Sequence, residues 1–128
     1  MLMISPFYAA LSALIFLWLS ARVILYRRHH LISLGDNGDK SLLKRMRAQA
    51  NCAEYTPIAA LLLVLMEIGG ADGWLLHLLG LMLVLGRALH GYGFSASPPK
   101  MQLRVLGMAL TLAQIGCAAL YLLLSTLL

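Results

Sequence analysis

The apolar residues of this chain fall in four long blocks, separated by three short polar connections. The first block runs from about residue 2 to residue 26 and carries one charge, Arg22. The second begins near Leu42 and runs to Ile68, the third covers about Trp74 to Gly93, and the fourth about Gln102 to Leu128. A helix needs roughly 20 apolar residues to cross a bilayer core, and each block is long enough. The connections are written in turn residues. GDNGD (35–39) lacks the spacing and closing glutamate of a calcium loop and reads as a turn, so no metal site is expected. GGADG (69–73) is a tight turn, and the prolines of SASPPK (95–100) stop a helix. The pattern predicts an all-α integral membrane protein: one domain over 1–128, built as a four-transmembrane-helix bundle.

Composition agrees with the pattern. The 128 residues are 61% hydrophobic and 12% charged, and the mean hydropathy is +0.83. A water-soluble domain of this size needs more polar surface. The first block has no basic residues ahead of it and is too long for a secretory h-region, so it reads as a retained span. The net charge of +5 raises the question of nucleic acid, but the basic residues flank apolar blocks, where membrane topology explains them. No nucleic-acid partner is expected. Cys52 and Cys117 lie far apart inside spans, in no redox or metal spacing, and read as packing residues.

The basic residues set an orientation. Arg27, Arg28, Lys40, Lys44, Arg45 and, at its edge, Arg47 occupy the first connection. Lys100 and Arg104 mark the third, while the second has Asp72 and no cation. The positive-inside rule then places the first and third connections in the cytoplasm and both termini outside, the periplasm in a bacterium.

That orientation gathers polar residues from three spans at one depth. In RAQANCAEYTP (47–57), Arg47, Asn51 and Glu54 fall within about 60° of one another on a helix. Tyr55 lies beside them, and Pro57 is expected to kink the span and open room near Glu54. Arg87 and His90 share a face of the third span, and Arg104 opens the fourth. An ionisable group at membrane depth costs about 2.5–3.5 kcal/mol on insertion scales. A wet or ligand-filled pocket accounts for five of them. The structural alternatives are an interfacial Arg47, a Glu54–Arg87 ion pair and a His90 that caps the third helix. Arginines hold carboxylates bidentately, a glutamate suits an ammonium, and Asn51, Gln49 and Tyr55 suit peptide or hydroxyl groups. The inferred ligand is a small zwitterion rich in carboxylate.

RAQANCAEYTP resembles the R-x-x-x-N-x-x-E-Y-x-P signature of the MAPEG superfamily, the membrane-associated proteins in eicosanoid and glutathione metabolism. RALHGYGF (87–94) is similar to the R-x-x-H runs of the family's prostaglandin synthases, and closer to the GR-x-x-H-x-YGF runs of its small bacterial inner-membrane members. The resemblance covers essentially the whole chain. It implies a homotrimer of four-helix subunits that binds glutathione as co-substrate between subunits, in the cytoplasmic half of the membrane. It implies a glutathione S-transferase, with a possible peroxidase activity, acting on a hydrophobic electrophile from the bilayer. By resemblance, Arg47, Asn51, Glu54 and Tyr55 bind glutathione, with Gln49 nearby. Arg87 and His90 contribute from the third span, and Arg27 or Arg28 meets the glycine carboxylate. Arg104 matches the catalytic arginine that stabilises the thiolate. Two positions depart from the family pattern. Phe94 replaces a tyrosine, with Tyr92 about 160° away around the helix, and Val105 stands where a serine follows the arginine in prostaglandin synthases. The alternative is a non-catalytic trimer that binds another small anion or uses the polar face for assembly.

Overall fold

The structure, a computed structural model, describes residues 3–127. The outer ends of the first and fourth apolar blocks, Met1, Leu2 and Leu128, lie outside the described residues. Four helices follow one another: α1 (Ser5–His30), α2 (Lys40–Ile68), α3 (Gly73–Ser95) and α4 (Met101–Leu127). No strand occurs among the described residues. All four are long and apolar enough to cross a membrane.

The helix ends differ from the apolar blocks where local chemistry extends them. α1 runs past Tyr26 through Arg27, Arg28, His29 and His30, because cationic side chains in a last turn complement the helix dipole. Pro6 sits in its first turn, where a missing N–H costs nothing. α2 starts at Lys40, ahead of Leu42, because the Asp39 carboxylate accepts hydrogen bonds from Ser41 N (2.8 Å) and Leu42 N (3.1 Å). The GDNGD turn feeds this cap, with Gly38 at φ 75° and its N–H donating to Asp36 Oδ1. α3 continues two residues past Gly93 and stops at Ser95, just ahead of the two prolines.

Large side chains remain exposed on every helix, among them Leu14, Leu17, Leu61, Leu65, Leu81, Leu85, Leu123 and Leu124. In water such a surface would aggregate; against lipid or a second subunit it is appropriate. α3 is the central helix. It buries 39% of its most apolar stretch, against 17% for α1 and 22% each for α2 and α4. Its contact with α4 is backbone on backbone. A Cβ on Gly107 would stand 2.3 Å from His90 N and 2.6 Å from Gly86 O, so only glycine permits this approach.

Polar groups from different helices meet in this bundle at two levels. Near the end of α2, the Glu67 carboxylate accepts from Met3 N (2.6 Å), Ile4 N (2.8 Å), Ser5 N (2.7 Å) and the Ser5 hydroxyl, capping α1 from another helix. Close by, Tyr8 Oη and His77 Nδ1 share a 2.9 Å hydrogen bond. The other level lies toward the opposite end of α2 and contains Asn51, Arg87, His90 and Thr111.

Candidate functional site: a basic groove between α2, α3 and α4

A groove of about 610 Å³ opens between the first half of α2, the end of α3 and the start of α4. Its polar wall is Arg47, Asn51, His90 and Arg104, and its apolar wall includes Phe94, Val105, Met108 and Leu112. The apolar residues on α4 recur at helical spacing, so the strip runs from Arg104 along the helix. The groove therefore has a cationic head and an apolar tail.

Arg104 stands in the first turn of α4. Its backbone N–H donates to Lys100 O (3.2 Å), and Lys100 N donates to Gly93 O (3.0 Å), which ties the start of α4 to the end of α3. A Cβ on Gly93 would sit 2.6 Å from Arg104 N. The Arg104 guanidinium lies over the Phe94 ring, with Cζ 3.8 Å from the centroid. Among the described residues neither it nor the Arg47 side chain meets a protein acceptor within hydrogen-bonding distance.

Arg87 is placed differently. It is 1% exposed and stands behind the groove wall. Its Nη1 donates to Asn51 Oδ1 (2.7 Å), and its Nε and Nη2 donate to Thr111 Oγ1 (2.9 and 2.6 Å). Thr111 passes its own hydroxyl proton to Gly107 O (3.0 Å). Tyr55 packs against Arg87, 5.7 Å from ring centroid to Cζ. The Glu54–Arg87 ion pair weighed from the sequence is not formed, because Asn51 and Thr111 occupy the guanidinium and Glu54 is exposed. Nor does His90 cap α3, since the helix continues to Ser95. His90 is 3% exposed, lines the groove and meets Phe94 edge to face at 5.6 Å.

The remaining site residues lie on other surfaces of the chain. Gln49 turns to α1 and donates to Ser20 Oγ (3.3 Å). Arg27 is held by Gly35 O (2.8 Å) and Ile32 O (3.4 Å), and with Arg28 it lines a separate hollow at the end of α1. The room beside Pro57 opens toward α1, between Ala9, Ser12 and Thr56, and not beside Glu54. Tyr92 points away from the groove, where Lys100 Nζ donates to its hydroxyl (3.3 Å). Sequence reasoning missed Thr111 and the glycines Gly86, Gly93 and Gly107. Their signal was small residues repeating along two adjacent apolar helices. It also missed a second basic pair: Arg22 and Arg45 line one hollow with Tyr26, and Arg22 donates to Ser95 O (3.2 Å).

The sequence profile of the MAPEG family matches residues 5–124. Inner membrane protein YecN of Escherichia coli strain K12 is 40% identical over 92 residues, which cover 72% of this chain and 70% of that protein. The protein of the same name from Escherichia coli O6:H1 gives the same figures.

Proposed function

This chain belongs to the MAPEG family of membrane proteins, and from that premise we propose that it binds glutathione and transfers it to hydrophobic electrophiles that enter from the bilayer. One observation carries the reading. Two arginines, Arg47 and Arg104, face a groove with their guanidinium donors unspent on protein acceptors. Cations held at membrane depth without a partner are costly, and a carboxylate-bearing thiol supplies the anions. Asn51, fixed by Arg87, offers its amide N–H groups to the peptide backbone of such a ligand.

The chemistry asks little more of the protein. A thiol with a pKa near 8.5 is mostly protonated at neutral pH. A guanidinium beside the sulfur favours the thiolate, and Arg104 is the group placed to provide it. The sulfur then bonds to an electrophilic carbon on the apolar strip of α4. The electron pair displaced from that carbon takes a proton from water. Holding both reactants in one groove supplies the rest of the acceleration.

The same reading includes a homotrimer. Gln49, Glu54, Arg27 and Arg28 face away from the groove within one chain, so they reach its ligand only from a neighbouring subunit. The positive-inside pattern orients the groove to the cytoplasm and both termini to the periplasm.

The test is calorimetric titration of glutathione into the purified protein in detergent, beside Arg47→Ala. Losing a charge-assisted contact of about 1.5–3 kcal/mol weakens binding at least ten-fold. Saturable binding that collapses in the variant supports the reading, and no binding at millimolar glutathione overturns it. The assembly alternative has its own observation, an exposed Glu54 on the second span. It requires Glu54→Ala to dissociate the oligomer with or without glutathione.

A further inference from the structure

Phe94 occupies the position of a family tyrosine, and its ring has no polar atom to give a ligand. The ring nevertheless has a defined task in the structure. Arg104 Cζ lies 3.8 Å from its centroid, well inside the range of about 6 Å over which a cation is attracted to an aromatic face. The backbone fixes both partners: Gly93, the residue before Phe94, is in contact with Arg104 N, and Lys100 bridges the two helices. His90 abuts the same ring edge to face at 5.6 Å. Phe94 and Arg104 both line the groove.

An arginine can be held by hydrogen bonds or by a ring face, and the two have opposite consequences. Arg87 is held by Asn51 and Thr111, and those bonds engage all three of its guanidinium nitrogens. A ring face attracts the guanidinium as a whole and takes none of its N–H groups. A tyrosine would offer the same face together with a hydroxyl that can compete for donors or for the ligand. We propose that Phe94 is the positioning residue for Arg104: its face holds the guanidinium over the groove with every N–H free for an anion, which in the glutathione reading is the thiolate. This inference rests on that reading for the identity of the anion, but not for the geometry.

Two measurements separate these parts. The first is the Arg104 Nε–H resonance in protein labelled with ¹⁵N-arginine, assigned by its loss in Arg104→Lys. Ring current from a face this close shifts it upfield in the wild type and in Phe94→Tyr, and it returns to the ordinary arginine position in Phe94→Leu. An unshifted wild-type resonance overturns the proposal. The second is the thiolate absorbance of bound glutathione as a function of pH. Phe94→Leu raises the apparent thiol pKa toward its free value and lowers turnover at neutral pH by about ten-fold, within the range of a cation–π contact. Phe94→Tyr keeps the ring face but adds a competing hydroxyl, and raises the pKa by less than Phe94→Leu does. A thiol pKa identical in wild type and Phe94→Leu overturns the positioning role. A shifted resonance in a protein that binds no glutathione overturns the glutathione reading and supports the Arg104 platform.

Discussion

The two polar levels of the bundle are built on opposite principles. At one, Glu67 accepts four hydrogen bonds from the start of α1 and Tyr8 pairs with His77. Here a half-buried carboxylate is saturated by protein donors. At the other, Arg47 and Arg104 line a groove with their donors unspent. Between these extremes, Arg87 is saturated but positioned directly behind a groove residue. Saturation marks polar residues that hold the helices together, and on the glutathione proposal the unspent donors of Arg47 and Arg104 are the ones that meet the ligand. Both levels are equally unusual in an apolar sequence, so hydropathy does not separate them; the hydrogen-bond partners do.

The strongest way to break the comparison is to remove the close approach that supports the groove. In Gly107→Ala the added methyl meets the backbone of His90 and Gly86, which cannot rotate away. Overpacking a tight core costs about 1–3 kcal/mol, and a backbone clash belongs at or above the top of that range. Thermal unfolding in detergent is expected to drop and glutathione binding to disappear together. Wild-type stability in this variant would show that α3 and α4 slide apart without cost.

Next in size is the loss of one carboxylate set against the loss of another. Glu67→Gln replaces a carboxylate oxygen with an N–H donor facing Ser5 or Ile4, and stability falls by about 2 kcal/mol. Glu54→Gln, on the exposed face, changes the stability of the isolated subunit by less than about 0.5 kcal/mol. Denaturant unfolding of the two variants in parallel checks the contrast. Equal losses would erase the distinction between a saturated and an exposed carboxylate.

A smaller effect sharpens the position of Arg87. Thr111→Val is nearly isosteric and removes the hydroxyl that receives Nε and Nη2. A net loss of about 1–2 kcal/mol is expected, because a charged donor is left short of an acceptor. Asn51 then loses its fixed orientation, so glutathione affinity falls alongside stability. In contrast, Arg104→Ala loses the ring contact alone, about 0.5–1 kcal/mol of stability, and lowers turnover by about 10²-fold. If Thr111→Val leaves affinity untouched, Arg87 holds Asn51 in place without help from Thr111.

Much of the fold is visible in the sequence, because block length and turn residues determine spans and connections without tertiary information. The four helices and the breaks at GDNGD, GGADG and SASPPK follow from this. The polar residues of α2 and α3 stand out for the same reason: each is an exception to an apolar rule. Which exceptions meet is less legible. Periodicity puts Arg47, Asn51 and Glu54 on one face, but a groove at the edge of that face takes Arg47 and Asn51 and leaves Glu54 outside. Likewise, Arg87 looks like a ligand residue until Thr111, 24 residues away, is seen to occupy it. No local pattern encodes that partner. The glycines of α3 and α4 carry the helix spacing, and they become interpretable only once their contacts are known.

The smallest predicted effect concerns the connection that leads into the site-bearing half of α2. Backbone donation from Leu42, followed by the hydrogen bond from the Tyr26 hydroxyl (2.8 Å), holds the Asp39 carboxyl below its ordinary value. A depressed carboxyl contributes stability above the unfolded pKa and loses it as pH falls through the folded one. The cap is therefore complete at neutral pH and fails only in acid, below the ordinary aspartate range. Asp39 is only half-buried in this connection, so the effect is local: fraying of the first turn of α2, with the bundle intact. Amide exchange at Lys40–Lys44, corrected for intrinsic rates, is expected to quicken as the pH is lowered. Asp39→Asn keeps a capping side chain without a titratable group and removes that dependence. Identical pH profiles in wild type and Asp39→Asn would mean that the turn, and not the carboxylate, starts the helix.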